Sequence, residues 1–201
     1  MKKAISFLLL SILFVALYYG LSCYRDKKQL RNDVIRLHVV ANSDSDADQA
    51  QKLRVRDVIN QYLCQLLENV ESAKDARRMI SDHLSDLEIV ASELLSSEGT
   101  DMAVRVTLTN ESFDIREYDT FTLPSGVYSS LRIELGAAEG KNWWCVVFPS
   151  LCLPAAGNSF AETAAGAGFS DSLTGGLSGK YQFRFFVLDL FGQVEKFLAN
   201  H

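Results

Sequence analysis

The chain opens on Lys2 and Lys3 and then runs from residue 4 to residue 21 without a charge. A basic start followed by an apolar stretch and a small polar exit at Gly20 and Ser22 describes a secretory signal. As a helix the same stretch would be ~27 Å long, just enough to cross a hydrocarbon core of ~30 Å. A cleavage signal is poor here, because Tyr18, Tyr19 and Leu21 crowd the exit. Cleaved signal and uncleaved anchor therefore both stand. Either way the lysines stay on the inner side and the rest of the chain folds outside a membrane. Cys23 follows Gly20-Leu21-Ser22, a weak match to a lipoprotein signal, and reads as an incidental cysteine.

The whole chain has 201 residues, enough for one domain with a real core. Its formal net charge is −5, and the two leader lysines lie outside the domain, so the domain is more acidic still. Basic residues do not cluster with aromatic ones. That excludes nucleic acid as a partner, because backbone contact needs grouped Lys and Arg.

Residues 24–32 are charged and read as a linker. Residues 34–41 alternate, with Ile35, Leu37 and Val39 on one face and Arg36, His38 and Val40 on the other. Asn42 to Asp46 form a turn into a helix capped by Ser45 or Asp44, with Asp46 and Asp48 in its first turn. A second helix starts at Ser72 and carries an apolar stripe to Leu94, stopped by Gly99. The period then switches to two. Residues 102–109 form a strand, Asn110-Glu111 a turn, and Phe113 and Ile115 lie on the next strand. Pro124-Ser125-Gly126 is another turn, and residues 127–135 and 142–148 are two further strands. This is an α+β pattern: a mainly antiparallel sheet of about five short strands, two helices after the first strand, and a C-terminal helix. The expected domains are 1–23 as signal or anchor, 24–32 as linker and 33–153 as the α+β domain. A Gly/Ala/Ser-rich loop (154–179), with its neighbour Leu153, holds half of the chain's 12 glycines. Residues 180–201 close the chain, with a strand-like Tyr181-Gln182-Phe183-Arg184-Phe185 and then a helix striped by Val187, Leu190, Phe191, Val194 and Leu198. That stripe either packs on the domain or docks on a membrane or partner.

Two runs concentrate the unusual residues. One is Ile35-Arg36-Leu37-His38-Val39-Val40-Ala41-Asn42-Ser43-Asp44-Ser45-Asp46. The other is Gly140-Lys141-Asn142-Trp143-Trp144-Cys145-Val146-Val147-Phe148-Pro149-Ser150-Leu151-Cys152, which holds both tryptophans. Adjacent strand residues face opposite ways, so one tryptophan enters the core and the other meets solvent, a loop or a partner. Cys145 and Cys152 flank a turn at Pro149 and either bond to each other outside the cytoplasm or act as two small buried hydrophobes. His38, His83 and His201 are far apart, and Asp44-x-Asp46-x-Asp48 lacks the glycine and glutamate of a calcium loop. No cofactor, metal or small-molecule substrate site is expected. An enzyme reading remains only for His38 with Asp44 and Asp46, as an exported hydrolase.

At these residues the chain resembles the stage II sporulation protein R family of endospore-forming bacteria. The likeness runs through Ile35 to Ser45, Gln49-Ala50 and Lys52-Leu53-Arg54-Val55-Arg56-Asp57. It resumes at Leu123-Pro124-Ser125-Gly126-Val127-Tyr128, Leu131-Arg132-Ile133 and the tryptophan run. Gly136 to Gly140 departs from it, where a more glycine-rich stretch is expected. The resemblance implies a signal protein with no chemistry of its own. It would be made in the forespore and exported to the space between the two sporulation membranes, secreted or anchored in the forespore membrane. There it would activate a membrane-embedded aspartic protease that processes the sigma-E precursor. Arg36, His38, Asn42 and Asp44 from one run, and Asn142, Trp143 and Trp144 from the other, are the candidate partner contacts.

Overall fold

The computed structural model describes residues 2–118, 120–149, 164–166 and 168–199. It is an α+β protein that divides into two compact units. One comprises Asn32–Glu111 and Tyr128–Phe169, and the other Met1–Arg31, Ser112–Val127 and Ser170–His201.

The first unit is built around strand β1 (Ile35–Val40). Helix α2 (Asp46–Leu66) follows, and Ser45 caps it by accepting from the Asp48 amide at 3.2 Å. Its buried positions Lys52, Val55, Ile59 and Leu63 recur at helical spacing. The stripe expected to form one helix from Ser72 forms two, α3 (Ala73–Asp82) and α4 (Leu84–Ser97). The break falls at His83, whose backbone leaves the helical region at ψ 18° and whose ring Nδ1 bonds the Met79 carbonyl at 2.8 Å. Gly99 ends α4 at φ +76°, a left-handed conformation that favours glycine.

Strands β2 (Val104–Phe113), β5 (Gly126–Leu135) and β6 (Asn142–Phe148) join β1 in a sheet of order β2-β5-β1-β6. The expected mainly antiparallel sheet is corrected to a mixed one, because β1 pairs β5 in parallel and β6 antiparallel. The helices α2 to α4 lie between β1 and β5 in sequence and supply the crossover that a parallel pair requires. The expected turn at Asn110-Glu111 falls inside β2. Ile35, Leu37 and Val39 of β1 join Leu131 and Ile133 of β5 in one core with Val55, Ile59, Ile80, Leu87 and Leu95 of the helices. Each such side chain stabilises the fold by about 1.5–3 kcal/mol when fully buried.

The second unit contains helix α1 (Lys2–Asp33) as far as Arg31, and the expected linker at 24–32 is helical. Its C-terminal end is buried at Cys23, Asp26, Lys27 and Leu30. Strands β3 (Arg116–Glu117) and β4 (Thr122–Leu123) form a small antiparallel pair. Helix α5 (Asp171–Leu177) corrects the loop expectation over its length, with Leu173, Gly175, Gly176 and Leu177 buried. Helix α6 (Gln182–Ala199) takes in all but Tyr181 of the expected strand at 181–185. Aromatic side chains suit a strand, but here Arg184, Leu188 and Gly192 recur every fourth residue and pack as a helix face.

This unit is locked by buried charge. Arg184 donates from Nε to Asp26 at 2.8 Å, and from Nη2 to Asp26 and to Ser22. Lys27 donates to the Ser125 carbonyl at 2.7 Å and lies 3.8 Å from Glu195. Asp189 accepts from the Ser125 amide at 2.8 Å and from its hydroxyl. The Pro124-Ser125-Gly126 turn is thus clamped by α1 and α6.

Candidate functional site

The two unusual runs of the sequence are neighbours in space, because β1 and β6 pair along their length. Val39 lies opposite Trp143 and His38 opposite Trp144, so the tryptophans take opposite faces of the sheet as expected. Trp143 packs on the helix-covered core, and the Arg56 guanidinium of α2 sits 4.3 Å above its ring. Trp144 stacks on His38 with ring centroids 3.8 Å apart. Both tryptophans are half-buried.

His38 is the centre of a polar row across four strands. Arg132 on β5 and Trp144 on β6 flank it, and Glu111 reaches it from β2. Its Nδ1 lies 3.2 Å from the Glu111 carboxylate and its Nε2 2.8 Å from the Asn142 amide oxygen. Arg132 donates to Glu111 at 2.7 Å and to Glu134 at 2.9 Å. Only 4% of His38 is exposed. A histidine serving as general base needs a reacting proton within reach of its free nitrogen. Here Nε2 faces an amide oxygen. The neighbouring carboxylate is Glu111, whereas Asp44 accepts from the Lys141 amide at 2.7 Å.

Burial alone would raise the pKa of Glu111. The hydrogen bond with His38 and the Arg132 guanidinium override it and lower the value from 4.5 to about 2. A depressed carboxylate pKa stabilises the fold above the unfolded value, and the stabilisation is lost as pH falls through the folded one. Glu111→Gln should therefore cost about 3 kcal/mol at neutral pH. The gap to the parent should close as pH falls from 4.5 toward about 2. Urea melts across that range check it; a gap independent of pH would remove Glu111 from this role.

A second knot lies at the ends of β1 and β6. Asn42 accepts from the Ala137 amide at 2.9 Å and donates to Asp48 at 2.9 Å. Ser43 also bonds Asp48, and these bonds hold its carboxyl below the usual range. Lys52 is buried and donates to Gln49 at 2.7 Å and to the Lys141 carbonyl at 3.0 Å. Burial lowers its pKa. The Gly140 amide donates to the Ala41 carbonyl at 2.9 Å. The residues from Asn42 to Lys52 therefore seat the loop that precedes the tryptophan run.

Of the candidate contacts, Arg36 and His38 are buried, Asn42 is half-buried, and Asp44 and Asn142 are exposed. The Arg36 guanidinium lies 5.3 Å from the centre of the Tyr128 ring. Reasoning from sequence missed Glu111, Arg132, Glu134 and Lys52. For the three strand residues the available signal was charge at strand positions, but only the register shows that these charges meet at His38. Among the described residues the free thiols are the buried Cys23 and the half-buried Cys64, and Cys145 is not one of them. Cys152 lies outside the described residues, so its pairing with Cys145 stays a proposal. Among the described residues no group of three or more His, Cys, Asp or Glu side chains could hold a metal ion.

A family model, that of stage II sporulation protein R, matches residues 31–158 of this chain. The chain belongs to the stage II sporulation protein R family. It is 36% identical over 149 residues to stage II sporulation protein R of Bacillus subtilis (strain 168), a match covering 73% of this chain and 66% of that relative. The matched stretch thus spans just under two thirds of the relative's length. No solved structure matches the chain. The family segment includes the His38 row and the knot at Asn42, and ends before α5 and α6.

Proposed function

We propose that this chain is an exported sporulation signal, delivered by its apolar N-terminal segment from the forespore to the space between the two membranes. There it activates a membrane-embedded aspartic protease that processes the sigma-E precursor. Membership of the stage II sporulation protein R family carries the reading. The apolar α1 supports export or anchoring. The buried, hydrogen-bonded state of His38 supports a role without catalysis. The alternative, an exported hydrolase using His38 with Asp44 and Asp46, has less support, because His38 contacts Glu111 and Asn142 instead. We place the partner contact at the exposed edge around Asp44 and Asn142, where the two family runs meet.

The test is complementation of a strain lacking the gene. An unrelated signal replacing residues 1–18 should restore sigma-E processing. The exchange stops there because Tyr19, Ser22 and Cys23 pack within the folded unit. A copy lacking residues 1–18 should restore none. Full processing by the cytoplasmic copy would refute the reading.

A further inference from the structure

Among the described residues, α1 is the one helix long and apolar enough to cross a membrane, and none of its 18-residue apolar window is buried by protein. Helix α6, in the same unit, is amphipathic in an unusual sense. Arg184, Leu188 and Gly192 bury one face, while Phe183, Phe186, Leu190, Val194 and Phe197 expose an apolar stripe on the other. Phe183 is 68% exposed and Phe186 63%.

The contacts between α1 and α6 set their relative height. Tyr19 meets Phe183 with ring centroids 5.7 Å apart, and Arg184 reaches Ser22 at 3.0 Å and Asp26 at 2.8 Å. Further along, Tyr24 meets Phe191 at 6.3 Å, and Arg31 pairs with Glu195 at 2.8 Å. The two helices therefore rise side by side with the same polarity. Phe183 is level with Tyr19, inside the apolar run.

The run of residues 4–21 gives ~27 Å of helix against a hydrocarbon core of ~30 Å, so its last turn cannot stand clear of the bilayer. What is level with that turn cannot stand clear either. The side chains at this height are those found at membrane interfaces: Tyr18, Tyr19, Tyr181 and Phe183, with Lys180 exposed beside them. A lysine stem can lie along apolar surface while its charge reaches the headgroups.

We propose that the start of α6, with Tyr181 just before it, is a second membrane contact, in which Tyr181, Phe183 and Phe186 enter the outer interfacial layer of the bilayer beside α1. The contact rests on α1 being the membrane-crossing segment. It is confined to the near end of the stripe, because Phe197 lies ~21 Å further along the helix, beyond the reach of lipid.

The test places the photo-crosslinking residue benzoylphenylalanine at Phe14, Phe183, Phe186 or Phe197 of the full chain. All four are exposed, so an aromatic exchange leaves the fold intact. Each protein is reconstituted in vesicles of phosphatidylethanolamine and phosphatidylglycerol, illuminated, and analysed by mass spectrometry. Lipid adducts are expected at 14, 183 and 186 and not at 197. Lipid at 14 with no lipid adduct at 183 and 186, or only adducts to a second protein chain there, overturns the contact and leaves α1 as the anchor. Lipid at 197 overturns the upright arrangement and the proposal with it. Absence of lipid at 14 overturns the anchor itself.

Discussion

Arg184→Ala should weaken the protection of α6 by about 3–5 kcal/mol, because it leaves a buried carboxylate without its counter-charge. Arg184 and Asp26 are 8% and 9% exposed at their side chains, and the guanidinium makes two bonds to that one carboxylate. Water cannot replace it at such burial. Hydrogen exchange of the α6 amides reads the loss directly, as an acceleration of about 10²–10⁴ under conditions where exchange reports the opening equilibrium. A double variant separates charge from packing. Asp26→Leu with Arg184→Met removes both charges and keeps apolar volume, so it should recover most of the loss. If Arg184→Ala and the double variant exchange at the parent rate, the ion pair is not what holds α6.

Gly192→Ala should be nearly as damaging, at about 3 kcal/mol, although alanine is the better helix former. A Cβ at Gly192 would overlap the backbone carbonyl of Ser125 and crowd Lys27 Nζ. The Ser125 carbonyl has little room to yield, because it accepts from Lys27 while its own amide and hydroxyl are held by Asp189. At an unconstrained position the same change would stabilise a helix by up to about 1 kcal/mol. The sign of the effect in the same exchange measurement is therefore decisive. A gain in protection would show that α6 does not approach the Ser125 turn this closely.

The capped start of α2 was readable at Ser45 and Asp48, since a side-chain cap and the first-turn amides it satisfies are local in sequence. The shared face of Ile35, Leu37 and Val39 was equally readable, because successive strand side chains point to opposite faces, but the burial of the other face was not, since Arg36 and His38 are buried as well. Nor was the C-terminal third of α1. Asp26 and Lys27 look like solvent-facing linker residues until Arg184, 158 positions away, and Glu195 are folded against them. The same is true of the candidate site. His38 was visible as a polar residue on a strand, but its assigned carboxylate partners, Asp44 and Asp46, were the ones nearby in sequence. The true neighbour, Glu111, stands 73 positions on.

By itself, then, the sequence determined what depends on short-range chemistry. It supplied an apolar run long enough to cross a membrane, the helix caps, the strand alternation and the opposed tryptophans. The tertiary structure alone decided the parallel pairing of β1 with β5, the row from Glu111 to Trp144, and the clamp of α1 and α6 on Ser125. The physical reason is that a buried charge costs several kcal/mol unless another group compensates it. Nothing in the local chain says where that group will come from, so charges that read as surface become buried only once the fold has brought their partners to them.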